Sequence, residues 1–171
     1  MKTYILGLIM LFVCNYSVAQ DADIIGNTDK EQILKTAHES WFTDNYSSYN
    51  ANPKSVERLT YLFKTNDFKV EVYFGTWCSD SQREIPKLYK LLEESGFDFK
   101  NFKLIGVNEY KELPNATPEE EEILNITNVP TIIVYENGKE INRFVEYAQE
   151  SLEKDLIKIF SKKPYKHSYQ N

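Results

Sequence analysis

The sequence predicts an α/β domain built on a mixed central sheet flanked by helices. Short β-branched and aromatic runs of strand length alternate with segments whose apolar residues recur at helical spacing. The last two strand-like runs are joined by Asn137-Gly138, a strong two-residue hairpin signal, so the sheet should end in an antiparallel pair. The composition is globular. Of 171 residues, 42% are hydrophobic and 27% charged, with 6 glycines and 6 prolines, which excludes disorder, collagen-like repeats and a disulfide-dense miniprotein. The length fits one domain.

The first twenty residues read as an address. Lys2 precedes an apolar run from Tyr4 to Val13, and Ser17-Val18-Ala19 places small residues at cleavage-site spacing, the pattern of a signal peptide over residues 1–20. The run is roughly half the length that crosses a bilayer. The competing expectation is a lipoprotein anchored at Cys14, although Phe12 and Val13 are bulky where such a signal prefers small side chains. The expected destination is periplasmic or secreted, in a bacterium, with no membrane span after signal removal. Only Cys78 then remains, and an odd thiol in a disulfide-permissive compartment points to intermolecular pairing or reactivity.

Residues 21–67 read as a leader and a helical extension. Asp21 to Asn27 is expected to be mobile, and Thr28-Asp29-Lys30-Glu31 has capping-box spacing. Ile33, Leu34, Ala37, Trp41 and Phe42 would then lay an aromatic stripe on a core. Asn52-Pro53 can open a second helix, with Val56, Leu59, Leu62 and Phe63 on one face.

The main domain is expected over residues 68–161. Lys69 to Phe74 alternates, with Val70, Val72 and Phe74 on one side of a strand. Gly75-Thr76-Trp77-Cys78 follows as a turn, and Ile85, Leu88, Tyr89 and Leu92 mark a helix stopping near Gly96. Phe102 to Val107 is a second strand. Thr117-Pro118-Glu119-Glu120 starts another helix, and its acidic run from Glu119 to Glu122 reads as a solvated first turn favoured by the helix dipole rather than as an interaction patch. Thr131 to Tyr135 and Lys139 to Val145 are the hairpin strands, and Leu152, Leu156, Ile159 and Phe160 define the last helix. Residues 162–171 read as a flexible basic tail.

Charge narrows the function. Lys and Arg total 20 against 26 Asp and Glu, a net charge of −6, and without a basic stripe nucleic acid is a poor partner. His38, read as a surface or boundary residue, and His167 have no ligand-spaced cluster around them, so no metal is expected. One constellation stands out: Trp77-Cys78-Ser79-Asp80-Ser81, between a strand end and a helix start. Unpaired amides and the helix dipole favour a thiolate there. Ser81 can donate a hydrogen bond back to the sulfur, while Asp80 opposes a second negative charge and Arg83 can offset it. The competing reading of Cys78 is a small buried hydrophobe, against which its polar neighbours argue. Trp77 is equally well read as a core aromatic or as a lid beside the thiol.

The stretch from Lys69 to Phe160 resembles the thioredoxin superfamily. Trp77-Cys78-x-x-Ser81 is similar to its active-site motif with serine for the second cysteine, and Pro86 stands where that family kinks its active-site helix. Val129-Pro130-Thr131 resembles its cis-proline segment, and Tyr135 to Lys139 its closing hairpin. The string from Gly75 to Pro86 also resembles a group of exported bacterial thioredoxin-like proteins. The resemblance implies a thioredoxin-like fold in which Pro130 lies against Cys78 and exposes the preceding backbone edge to a partner's extended segment. Three departures oppose ordinary dithiol chemistry: Val72 aligns with the family's buried acid, Glu146 with a groove glycine, and an insertion falls near Tyr110 to Pro118.

Two functions follow. The leading expectation is an exported monothiol thiol–disulfide exchange protein. Cys78 would be its nucleophile, Ser81 a thiolate hydrogen-bond donor, Trp77 a lid, and Asp80 and Arg83 charge-tuning residues, with Val129, Pro130 and Thr131 docking the substrate. No bound cofactor is implied. The expected partner is a thiol- or disulfide-containing protein or a low-molecular-weight thiol. The alternative is a non-catalytic binding or chaperone module using the cis-proline groove.

Overall fold

Side chains alternate across a strand, and that rule sorts this molecule into two unequal faces. The computed structural model describes residues 22–170; the expected signal segment, with Cys14, lies outside the described residues. In chain order the elements are β1 (Gly26–Thr28), α1 (Lys30–Ile33), α2 (Glu39–Ser48), α3 (Pro53–Thr65), β2 (Phe68–Phe74), α4 (Ser79–Glu94), a 3₁₀ turn (Phe99–Asn101), β3 (Phe102–Gly106), α5 (Pro118–Leu124), β4 (Thr131–Glu136), β5 (Lys139–Val145) and α6 (Leu152–Phe160). The five strands lie in the order β1-β3-β2-β4-β5. β2 and β3 are parallel, and every other neighbouring pair is antiparallel. The expected mixed sheet flanked by helices is what forms.

Val70, Val72 and Phe74 of β2 face the same way as Leu104 of β3, Ile132 and Val134 of β4 and Phe144 of β5. They meet Phe42, Leu59, Ile85, Leu88, Leu156 and Phe160 in one buried cluster. The opposite register positions supply a smaller cluster of Tyr73, Val107, Leu113, Val129 and Ile133, with Trp77 and Cys78 packed at its edge. Local signals hold where the residues themselves dictate geometry. Thr117 and Glu120 form the full capping box of α5, and Asn137 and Gly138 both take positive φ, at 52° and 75°, as a primed hairpin turn requires. No helix among the described residues is long and apolar enough to cross a membrane.

Five expectations need correction. The leader contains β1, which pairs antiparallel with β3. A Cβ on Gly106 would lie 1.9 Å from the Ile24 carbonyl oxygen, so only glycine lets this segment approach. The first helix is capped by Asp29, not Thr28: its carboxylate accepts from the Gln32 amide at 2.8 Å. The helix also ends early. Thr36 Oγ1 donates to the Ile33 carbonyl at 2.7 Å and accepts from the His38 amide at 3.2 Å, so a side chain takes over backbone bonding between α1 and α2. His38 is buried, its Nε2 lying 3.2 Å from the Ala22 carbonyl. Finally, the tail is held against the domain. Tyr165 packs on the large cluster, and its carbonyl accepts from Asn142 Nδ2 at 3.1 Å.

The extension is part of the core. Phe42 is 1% exposed and meets Tyr89 of α4 edge-on, with ring centroids 5.6 Å apart. Lys90 Nζ donates to the carbonyls of Tyr46 at 3.2 Å and Tyr49 at 2.6 Å, which satisfies the open end of α2 and ties it to the helix behind the site.

Candidate functional site

β2 stops at Phe74 and α4 starts at Ser79, so four residues make the turn between them. The Cys78 amide donates to the Gly75 carbonyl at 3.1 Å, and Cys78 is the N-cap of α4 with φ −91° and ψ 119°. Gly75 is required for contact rather than for conformation: an added Cβ would lie 2.5 Å from Trp77 Cε2. Trp77 Nε1 donates to the Val107 carbonyl at 3.1 Å. The half-buried indole is therefore tied to the turn and the smaller cluster.

Cys78 is a free, half-buried thiol. Its Sγ donates to the Val129 carbonyl at 3.2 Å, and the Val129–Pro130 peptide is cis. The turn after β2 and the approach to β4 thus bring Cys78 against Val129, Pro130 and Thr131. Ser81 is fully buried, and its Oγ accepts from the Gly75 amide at 3.2 Å. The expected bond from Ser81 to the sulfur is not formed, because the hydroxyl serves the turn while Sγ faces Val129. Arg83 pairs with Asp80 through Nη2 at 2.6 Å and with Glu84 through Nε at 2.6 Å. Burial works against the Arg83 charge, but the bonds to Glu84 and Asp80 outweigh it and hold the guanidinium above its ordinary value. The Asp80 charge is thereby compensated, as its position three residues before Arg83 suggested.

The expected docking edge is buried. Val129 is 3% exposed, Thr131 1%, and Pro130 is buried as well, which corrects the expectation of an exposed backbone edge. Thr131 Oγ1 donates to the Asn128 carbonyl at 2.6 Å, and the Glu146 amide donates to the Pro130 carbonyl at 2.8 Å. Glu146 has φ +63°, the left-handed backbone that favours glycine. Its carboxylate accepts from Asn128 Nδ2 at 3.2 Å and from the Tyr169 hydroxyl. That hydrogen bond comes first among the causes that push the Tyr169 phenol up to about 12, with burial, the Glu146 charge, Tyr147 and Asp80 adding to it. Asn128 and Tyr169 were missed from sequence. The only signal for them is a tail carrying tyrosines at 165 and 169. Among the described residues, no cluster of three His, Cys, Asp or Glu side chains is placed to hold a metal.

The chain is 25% identical over 104 residues to a thioredoxin from Mycoplasma genitalium, covering 61% of this chain and 93% of that protein. It is 26% identical over 96 residues to thioredoxin H2 of Arabidopsis thaliana, covering 56% and 65%. These similarities support the thioredoxin superfamily. The fold is also shared with a Pseudomonas aeruginosa protein of unknown function, at TM-score 0.55 and 17% identity over 79% of this chain and 81% of that one. No family model matches the chain. Redox chemistry of the thioredoxin type is the coarse function that these relatives support.

Proposed function

We propose that the protein is an exported monothiol thiol–disulfide exchange protein acting through Cys78. The observation that carries this reading is the free thiol at the start of α4, half-buried and lying 3.2 Å from the carbonyl that precedes a cis-proline. The thiolate is the nucleophile in exchange. In the step itself the Cys78 thiolate attacks one sulfur of a disulfide, a new sulfur–sulfur bond forms, and the other half leaves as a thiolate. A second cysteine would normally break that mixed disulfide from within. Ser81 stands there instead, so an external thiol must attack the adduct and regenerate Cys78.

Ser81 acts as a support of the turn through Gly75, Trp77 as a wall, and Arg83 as the counter-charge of Asp80. Val129, Pro130 and Thr131 form the docking edge for a thiol- or disulfide-containing protein. Export rests on the signal pattern over residues 1–20, and the division into extension, domain and tail at 67 and 161 on the apolar patterning. Incubation of the reduced protein with disulfides and with a cell extract tests the reading. Non-reducing gels and intact mass should show adducts that vanish with reductant and with Cys78→Ala. An inert Cys78 would favour the binding-module reading.

A further inference from the structure

The segment after α6 makes contacts that exchange at Cys78 does not require. Asp155 is fully buried, and its carboxylate accepts from the amides of Gln149 at 2.6 Å and Glu150 at 3.2 Å and from the Tyr165 hydroxyl at 3.3 Å. One carboxylate therefore binds together the tail and the loop after β5. Further along, Gln149 Nε2 donates to Ser168 Oγ at 3.0 Å, and Ser168 Oγ donates to the Tyr147 carbonyl at 2.6 Å. The Tyr147 and Tyr169 rings meet edge-on, with centroids 6.1 Å apart. The Tyr169 hydroxyl then reaches Glu146, whose amide and carboxylate already hold Pro130 and Asn128. The tail thus ends at Glu146, the residue bonded to both neighbours of Val129.

This arrangement has a firm base and a light tip. Tyr165 and Asp155 are packed into the domain, whereas Tyr147 and Tyr169 are each 48% exposed and are joined by one ring contact and a few surface hydrogen bonds. Such a tip detaches without unfolding anything beneath it. Among the described residues, no ion pair is formed by Glu146, so its bonds to Asn128 and Tyr169 are what hold the carboxylate beside Asn128. Cys78 meanwhile keeps part of its surface open to solvent.

Resting on the exchange reading, we propose that Tyr169 and Glu146 form a selectivity gate over the cis-proline edge. With the gate closed, small disulfides reach Cys78 but an extended polypeptide cannot pair alongside Val129. When Tyr169 lifts away, the edge accepts a polypeptide disulfide. The substrate class that the gate admits is therefore a disulfide within an extended chain able to displace Tyr169, and the gate sets which disulfides are used rather than the chemistry at sulfur.

Rates of mixed-disulfide formation, read by intact mass, test this with two probes. One is cystamine; the other is a neutral, extended ten-residue peptide dimer joined by a central disulfide. Tyr169→Phe, which removes only the hydroxyl, and deletion of residues 168–171 should each raise the peptide rate on the order of tenfold, the size expected for one lost hydrogen bond to a charged group. The cystamine rate should stay level. Where Cys78 does react, equal peptide rates in wild type and both variants would overturn the gate, as would a cystamine rate that rises in step with the peptide rate. Hydrogen exchange over residues 127–132 reads the gate without any thiol chemistry and should quicken in both variants. If exchange quickens while Cys78 reacts with neither probe, the gate stands and the exchange reading falls. If Cys78 reacts and exchange is unchanged, the gate falls and the exchange reading stands.

Discussion

The two faces of the sheet are built to different standards. On one, the clustered aromatic rings of Phe42, Phe63, Phe68, Phe97 and Phe160 join aliphatic residues from four helices. On the other, five buried residues and a single short helix, α5, cover the strands, and a cavity of about 360 Å³ opens beside Tyr73, Leu113 and Leu124. Cys78 sits at the edge of the thin face, yet the helix it caps is rooted in the thick one through Ile85, Leu88 and Leu92. Close packing around α4 fixes where the thiol points, whereas the sparse face holds the cavity, whose lining does not include Cys78.

Mutations should reveal that asymmetry. The largest loss is expected from removing residues 21–64, which strips Phe42 and Leu59 from the thick face; Phe42→Ala alone should cost about 3–5 kcal/mol in denaturant unfolding. A truncated chain as stable as the parent would break the comparison. Next comes alkali. Burial first, then nearby carboxylates, raises the phenols of Tyr49 and Tyr165 on the thick side and of Tyr73 on the thin side above the ordinary value, and Tyr135 up to about 12. A phenol whose folded value is raised contributes stability that is whole below about pH 10 and is lost as pH rises toward the folded value. Melting temperature should therefore hold level to about pH 10 and then fall. Tyr73→Phe with Tyr135→Phe should remove only the thin side's share.

Leu113→Ala should cost about 2 kcal/mol, the low end for a buried leucine, because one side of Leu113 already borders the cavity. A cost as large as that of Phe42→Ala would erase the distinction between the faces. The smallest effect is expected at Trp77→Phe, which gives up the bond to the Val107 carbonyl and should cost about 1 kcal/mol. The rate of Cys78 with cystamine should change little, since the indole bonds the Val107 carbonyl and not the sulfur.

What could be read from the sequence divides along similar lines. α6 over Leu152–Phe160, the capping box of α5 and the Asn137-Gly138 turn were legible because neighbouring residues determine them. β1 was not, since three residues carry no pattern and its place depends on Gly106, eighty positions away, leaving room for Ile24. The break between α1 and α2 hid inside an apolar stripe that continues across it, because Thr36 interrupts the helix without changing the spacing. At the site, the meeting of Cys78 with Val129 and Pro130 was implied by the resemblance to the thioredoxin superfamily. Ser81 turning to Gly75 rather than to sulfur was not, and neither was the tail's contact with Glu146, because each depends on which of several polar partners the fold brings nearest.

The proposed nucleophile, Cys78, lacks a resolving partner. The most direct test is the lifetime of the Cys78 mixed disulfide in the parent protein and in Ser81→Cys, followed by intact mass after free thiol has been removed. The parent adduct should persist until an external thiol is added. Ser81→Cys should shed its adduct unaided and lose two further mass units as an internal disulfide closes across the first turn of α4, releasing the partner as a thiol. A parent adduct that decays as fast as the variant's, or a variant that never closes the disulfide, would contradict the monothiol account.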